Sequence, residues 1–539
     1  MPSGALRSGG GYSQIPISNF SGGLNLAAGA DDPDIIDSGQ AIDLLNVVFT
    51  TLGAVKQRLG YQKLASSPYT NQPDSIQGVY TSTGTKRLLL GNGNRIDALN
   101  TSGTSVANVA PTAHPQYFQR IGTPAAEAVY ISNGTDTVRK YVPSTDTFST
   151  PAYTGTTPTG KFVAATYDFR LANACTTANP SRVLFSDPGT PETFGANNFV
   201  DLDPGDGEAI QGMAAWGSML FVFKDTKFYV FTNTSTDSSG NPVFNYYPVR
   251  GGVGCVGGNA IAVAPDGLYF LDKKGVYKTT GKEPVQISQL IDPFFLGNAA
   301  IYFQSNTANQ GQIGSASLCW YNHRLYVSVC TGTSTTQDRV LVFDTRYGWW
   351  SLFDFPASCM TVWRPSNIDE LLFGYSSGTK DVGRYSDFST LSADNMSNTA
   401  TGGTATVARW RSGWFSYYFR YRGRWFPDLT VHTVRQGKIF GEGQLSVQLA
   451  ADYNLNPNAG NTITLTGVGS TWSGTWVGTT IWGPAATTRP KLVRHIGIRG
   501  SVISVLLSNS TLNQTFTVHQ FETHLRGPSR RPSVVETDD

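Results

Sequence analysis

The sequence predicts a mostly-β chain whose long central part is a β-propeller of six or seven blades, followed by a second β region. Composition gives the class. Charged residues make up only 14% of the 539 residues, against about 25% in an average soluble protein. Aromatic residues reach 12%, with 58 Gly and 28 Pro, so there is apolar surface to bury, which excludes a disordered chain. Lys and Glu are scarce, which disfavours long helices. The hairpin rhythm gives the architecture. Short apolar runs broken by Gly/Asn/Asp turns begin at positions 87, 128, 182, 219, 267, 324 and 370, spaced 41, 54, 37, 48, 57 and 46 apart. Spacings near 40 to 55 are those of four-stranded propeller blades. A β-sandwich array is the competing architecture, but sandwiches rarely keep such a rhythm over so long a stretch.

In chain order, residues 1–45 read as an extended arm, with turn chemistry at Asn19 to Gly23 and an acidic loop from Asp31 to Asp37. The run AIDLLNVVF has some helical character. Residues 46–75 hold a hairpin turning at Leu52-Gly53, 76–390 the propeller, and 391–406 a polar linker. A second β domain covers 407–525, and 526–539 are a flexible tail. Within the blades, LFVFKDTKFYVF places Phe221 and Phe223 on one face, with Phe228 and Val230 rejoining it across the turn. In DRVLVFDTRYGWWSLFDFP the strand ends at Asp344-Thr345, turns through Tyr347-Gly348 and resumes at Trp349.

Forty basic against 38 acidic residues leave a net charge of +2, too little for a global field toward nucleic acid or membrane. No run of 18 apolar residues is present, so no spanning helix is expected. The N-terminus lacks an apolar signal region, which predicts synthesis in a cytoplasm. Five cysteines without a CxxC pair fit reduced thiols better than a disulfide framework.

Several patterns bear on chemistry. Gly252, Gly254 and Gly257 match GxGxxG, but a strand-like continuation replaces the helix that a dinucleotide site requires. Asp201, Asp203, Asp206 and Glu208 crowd a Gly/Pro loop that could hold Ca²⁺, although the EF-hand register is not met and a solvated turn between blades is the simpler reading. No HExxH occurs, no catalytic, cofactor or metal residues are assigned, and no enzyme is expected. The sequons at Asn100 and Asn133 are by-products of composition. Five arginines precede the first acid, Asp428, in the second β region: Arg409, Arg411, Arg420, Arg422 and Arg424. In a continuous strand the last three share a face, with Phe419, Tyr421 and Trp425 largely on the other. That face is directed either to phosphate or an acidic partner, or to solvent with its arginines paired to neighbouring strands.

Three blocks carry a family resemblance. The opening ISNFSGGLNLAAGADDPDIIDSGQAIDLLNVVFTTLGAVKQRLGYQKL resembles the start of bacteriophage tail proteins, where a Gly-Asn-rich arm precedes a "G.v..R.Gy" hairpin. The block FRLANACTTANPSRVLFSDPGTPETFGANNFVDLDPGDGEAIQGMAAWGSMLFVFKDTKFYVFTN is similar to the centre of tail nozzle or tail hub (tail stabilisation) proteins of short-tailed phages. GCVGGNAIAVAPDGLYFLDKKGVYKTTG, FDTRYGWWSLFD and RHIGIRGSVISVLLSNSTLNQTF continue the series in the same order.

The resemblance implies a propeller joined to a β-rich platform domain built from N- and C-terminal segments. It also implies a virion structural protein forming a homo-oligomeric ring, hexameric in the family, beneath the head-to-tail adaptor protein. Double-stranded DNA would cross the lumen without sequence specificity, tail fibres would attach at the flank, and a tail needle or plug would gate the distal side. No cofactor and no membrane segment are implied. The five arginines become candidates for a subunit interface or the DNA channel. The alternative is a propeller that binds host glycans as a receptor-binding minor tail protein, stacking sugars on Trp349, Trp350, Trp414 and Trp425, residues that equally suit a core.

Overall fold

The computed structural model describes residues 13–526 except 28–38, 51–52, 66–68, 123–126, 167, 237, 239–241, 298–306, 390, 397–402, 422–423, 429–431, 452–460, 466–490, 501 and 513. For residues 13–16, 236, 415–442, 451–503 and 522–526 the description is of the backbone alone.

Seven four-stranded antiparallel sheets account for residues 75–385. In chain order they are blade 1 (75–109), blade 2 (117–149), blade 3 (162–201), blade 4 (212–249), blade 5 (261–286), blade 6 (317–353) and blade 7 (357–385). The first strand of each blade abuts that of the next, and Ala357–Trp363 returns to Ser75–Tyr80, so the sheets close into a ring. Blade 7 borrows its fourth strand, Tyr61–Lys63, from ahead of blade 1. That strand ties the end of the ring to its beginning, since the propeller would otherwise be closed only by side-chain packing.

The fold is therefore a seven-bladed β-propeller, and the soft count of six or seven resolves to seven. Six of the seven sequence units coincide with the second and third strands of a blade. The unit at 182 is out of phase, because Arg182–Phe185 is a third strand and its blade's second strand is Leu171–Ala174. The short ANA run there gave too weak an apolar signal to be seen.

Blade 4 shows how alternation fills the ring. Phe221 stands opposite Val230 and Phe223 opposite Phe228. All four enter a core shared with blade 5, while Leu220, Val222, Tyr229 and Phe231 on the other face pack toward blade 3. Each such side chain fully withdrawn from water contributes about 1.5–3 kcal/mol. Both faces of a blade are thus apolar, as a radial stack of sheets demands.

A second sheet of 13 strands interleaves the two ends of the chain. Along its main path lie Gly23–Leu24, Gln40–Leu45, Ala408–Ser412, Val502–Asn509, His432–Ala451, Phe516–Arg526, Val55–Gln57 and Val47–Phe49. It packs on the outer strand of blade 6, where the Phe49 and Trp349 rings meet edge to face at 5.0 Å.

Three sequence expectations change here. AIDLLNVVF is not helical: it forms strands Gln40–Leu45 and Val47–Phe49, separated by Asn46 at φ 54°. Nearly every residue in it is buried, and pairing with Ala408–Ser412 overrides local propensity. The first 45 residues are not wholly an extended arm, since Ser13–Ile17, Gly23–Leu24 and Gln40–Leu45 are strands of this sheet. The segment 46–75 is also divided. Its hairpin belongs to the second sheet, but Tyr61–Lys63 belongs to the propeller. The loop from Asp31 to Asp37 and the tail after Arg526 lie outside the described residues.

Candidate functional site

The chain enters the propeller just after Arg58 and leaves it before Asp394, and these two residues meet. The Arg58 guanidinium is fully buried and donates to both oxygens of Asp394 at 2.7 Å, to Asp354 at 2.8 Å and to the Asn46 side chain at 2.7 Å. It also lies over the rings of Tyr61, Phe353 and Phe355, at 5.5 to 5.7 Å. Burial raises the Asp394 carboxyl above its ordinary range, against the opposing pull of Arg58. The guanidinium is thus the counter-charge that keeps this carboxylate tolerable inside the protein.

This clasp explains the "G.v..R.Gy" hairpin. Gly53 takes φ 78° in the turn, Val55 is buried, and Arg58 is the charge at the junction. A Cβ on Gly60 would lie 2.0 Å from the Ala393 carbonyl oxygen, and Tyr61 packs edge-on against Phe355 and Phe373. Sequence reading held the motif but missed Asp354 and Asp394, which are about 300 and more residues away. The polar linker at 391–406 thus contains a largely buried structural acid.

The candidate arginines separate. Arg409 is ion-paired to Asp43 at 2.8 Å, and Arg411 is 1% exposed on the same strand. These two are enclosed by their own sheet rather than set on an open basic face. Desolvation holds the Arg411 guanidinium below its usual range, with Asp43 opposing. Arg420 and Arg424 fall on the hairpin Phe415–Tyr421/Arg424–Asp428, where Arg420 stands opposite Trp425 and Tyr421 opposite Arg424. The two positions thus lie on different strands of a hairpin. The expectation of one continuous strand fails because the chain reverses between 421 and 424. Arg422 lies outside the described residues.

The acidic loop is occupied by cations of its own fold. Asp201 is gripped by Arg182, Asp203 by Lys227 and Arg250, and Asp206 by Lys224 and Lys227 at 2.7 and 2.9 Å. Glu208 accepts from the Thr226 hydroxyl. Lys224 is itself completely buried. Burial alone would raise the Asp206 carboxyl, but hydrogen bonds from Lys224 and Lys227 carry it well below the usual carboxylate range. These carboxylates neutralise a buried lysine and its neighbours, which favours a structural turn over a Ca²⁺ loop.

Two glycines of the run serve close packing and the third a turn. A Cβ on Gly254 would lie 2.0 Å from the Lys224 carbonyl oxygen and one on Gly257 would lie 2.6 Å from the Gly314 carbonyl oxygen, while Gly252 takes φ 68° with open space around it. The strand Ile261–Ala264 follows, with no helix to receive phosphate. Asn100 and Asn133 cap turns through their side-chain oxygens. Three of the four tryptophans proposed for sugar stacking are enclosed: Trp349, Trp350 and Trp414 are at most 2% exposed. Trp350 donates to the Ile287 carbonyl at 3.0 Å and lies at a tilt against the Phe343 ring, with centroids 4.8 Å apart. The Trp425 side chain lies outside the described residues.

No family model matches the chain, and no curated protein matches it. Among solved structures it is similar to one titled "Crystal structure of RRP9 WD40 repeats", at 9% identity and a TM-score of 0.39, covering 61% of this chain and 98% of that one. It is also similar to "Structure of U3-55K", at 9% identity and a TM-score of 0.38, covering 59% of this chain and 96% of that one. The class defined by the strand topology is a β-propeller protein.

Proposed function

We propose that the chain is a virion structural protein of a short-tailed bacteriophage, a tail nozzle or hub subunit. In this reading it assembles as a ring, hexameric by analogy with the family it resembles, below the head-to-tail adaptor. The ring conducts DNA during ejection and offers a base for fibres. The observation that supports this reading is the insertion architecture. A propeller is inserted between N- and C-terminal segments that share one 13-stranded sheet, an arrangement compatible with the propeller-and-platform composite that the sequence resemblance implies. The closed ring of blades leaves few free sheet edges, which suits crowding of many copies.

Single-particle imaging and native mass of the full-length chain, with and without the adaptor, test the proposal. A six-fold ring supports it, and a chain that stays monomeric with the adaptor and in virions overturns it. The receptor-binding alternative loses three of its four stacking indoles to the core, as described above.

A further inference from the structure

On the propeller face that carries the turns between first and second strands, blades 6 and 7 leave a cleft of about 430 Å³. One wall is the blade 6 hairpin, with Trp320, Asn322 and His323; the other is the blade 7 hairpin with Asn367, Ile368 and Asp369, and Phe388 closes the end. The volume lies within the ~300–1,000 Å³ typical of small-molecule sites.

The walls are held in place before any ligand arrives. Asn322 and His323 form a two-residue turn with both φ angles positive, 46° and 62°. The Tyr321 hydroxyl donates to the Asp369 carbonyl at 2.9 Å, pinning one blade to the next. The Asn322 amide donates to Asp387 at 2.6 Å and so fixes the segment that carries Phe388. The His323 ring meets Trp320 edge to face at 5.9 Å.

Two features are left over for a ligand. Phe388 is 69% exposed and Ile368 is 47% exposed, an apolar pair in water that the fold itself does not use. The Asn367 side chain makes no hydrogen bond to described residues, so a donor and an acceptor stand open beside that apolar surface. Charge is cancelled, because Asp369 is held by Arg364 through two hydrogen bonds.

A neutral cleft with aromatic surface and a free amide fits a ligand with apolar ring faces and hydroxyl edges. We propose that this cleft binds a small neutral saccharide, with Phe388 and Trp320 against its ring faces and Asn367 hydrogen-bonding its hydroxyls. The inference is independent of the ring-forming reading, because a single propeller contains the whole cleft.

The test is ligand-observed NMR and calorimetry on the full-length chain. The probes are the methyl glycosides of glucose, galactose, mannose and N-acetylglucosamine, with lactose and maltose. Saturable binding of at least one, weakened about tenfold or more in both Phe388→Ala and Asn367→Ala, is expected. Both positions are exposed, and unchanged melting temperatures verify that the variants fold. Val285→Ala, an exposed site on blade 5, should bind as wild type. The proposal is overturned by no saturable binding of any probe, by binding that both cleft variants retain, or by equal loss in Val285→Ala.

Discussion

Asp394 lies 2.7 Å from Arg58, 336 residues away in sequence, and this contact joins the point where the chain enters the propeller to the point where it leaves. Asp354, the residue after blade 6, completes the grip. One buried cation thus couples three segments that no local pattern connects.

Removing that cation should be severe. Arg58→Met leaves the largely buried Asp394 without its counter-charge, a loss of about 3 kcal/mol. Asp394→Asn should cost less, because Asp354 still answers the guanidinium. Thermal and urea unfolding check this ordering. Limited proteolysis should cut the Arg58→Met chain near Asp394 faster than it cuts wild type.

The acidic loop sets an acid limit on stability. The folded Asp206 carboxyl is depressed by Lys224 and Lys227, so its contribution is complete above the unfolded value of about 4. It is lost as pH falls below that, through the depressed folded value. Asp206→Asn should destabilise by about 3 kcal/mol at pH 7, because it strands the buried Lys224. The gap from wild type should narrow in melts below about pH 4. Millimolar CaCl₂ should leave the wild-type melting temperature unchanged at pH 7, since the loop's carboxylates already hold cations.

Thiol chemistry reports the core directly. Burial pushes Cys255, Cys319 and Cys359 up to about 12, so at pH 8 they carry almost no thiolate. A thiol reagent such as DTNB should label the native chain at no more than about one site, Cys175 first because it alone is half-exposed. All five should react in guanidinium. Rapid labelling of several thiols in the native chain would contradict the enclosed cores.

The arginine hairpin tests the assembly proposal. Arg420, Arg422 and Arg424 changed together to Ser should leave melting unchanged but lower virion yield or infectivity by about tenfold or more. A plaque assay with the triple variant measures this, and wild-type titre would remove these residues from any interface. Arg409 and Arg411 are excluded from such a test, because Arg409→Ser would orphan Asp43 and Arg411→Ser would open a buried space, so either would report on folding.

The sequence by itself determined the propeller class, the approximate position of the hairpins and the pairing of faces in blade 4. It could do so because period-two alternation and turn residues are local signals. It also held the glycine run and the Arg58 hairpin as patterns. Only the tertiary structure decided the blade count, since the seventh blade is completed by Tyr61–Lys63 from the other end of the propeller. It alone converted AIDLLNVVF into strands, because the energy of pairing with Ala408–Ser412 exceeds the small local helix preference. It also divided the five arginines, enclosing two and placing others about a chain reversal. Partners separated by hundreds of residues leave no periodic trace, so their chemistry becomes legible only once the chain has closed on itself.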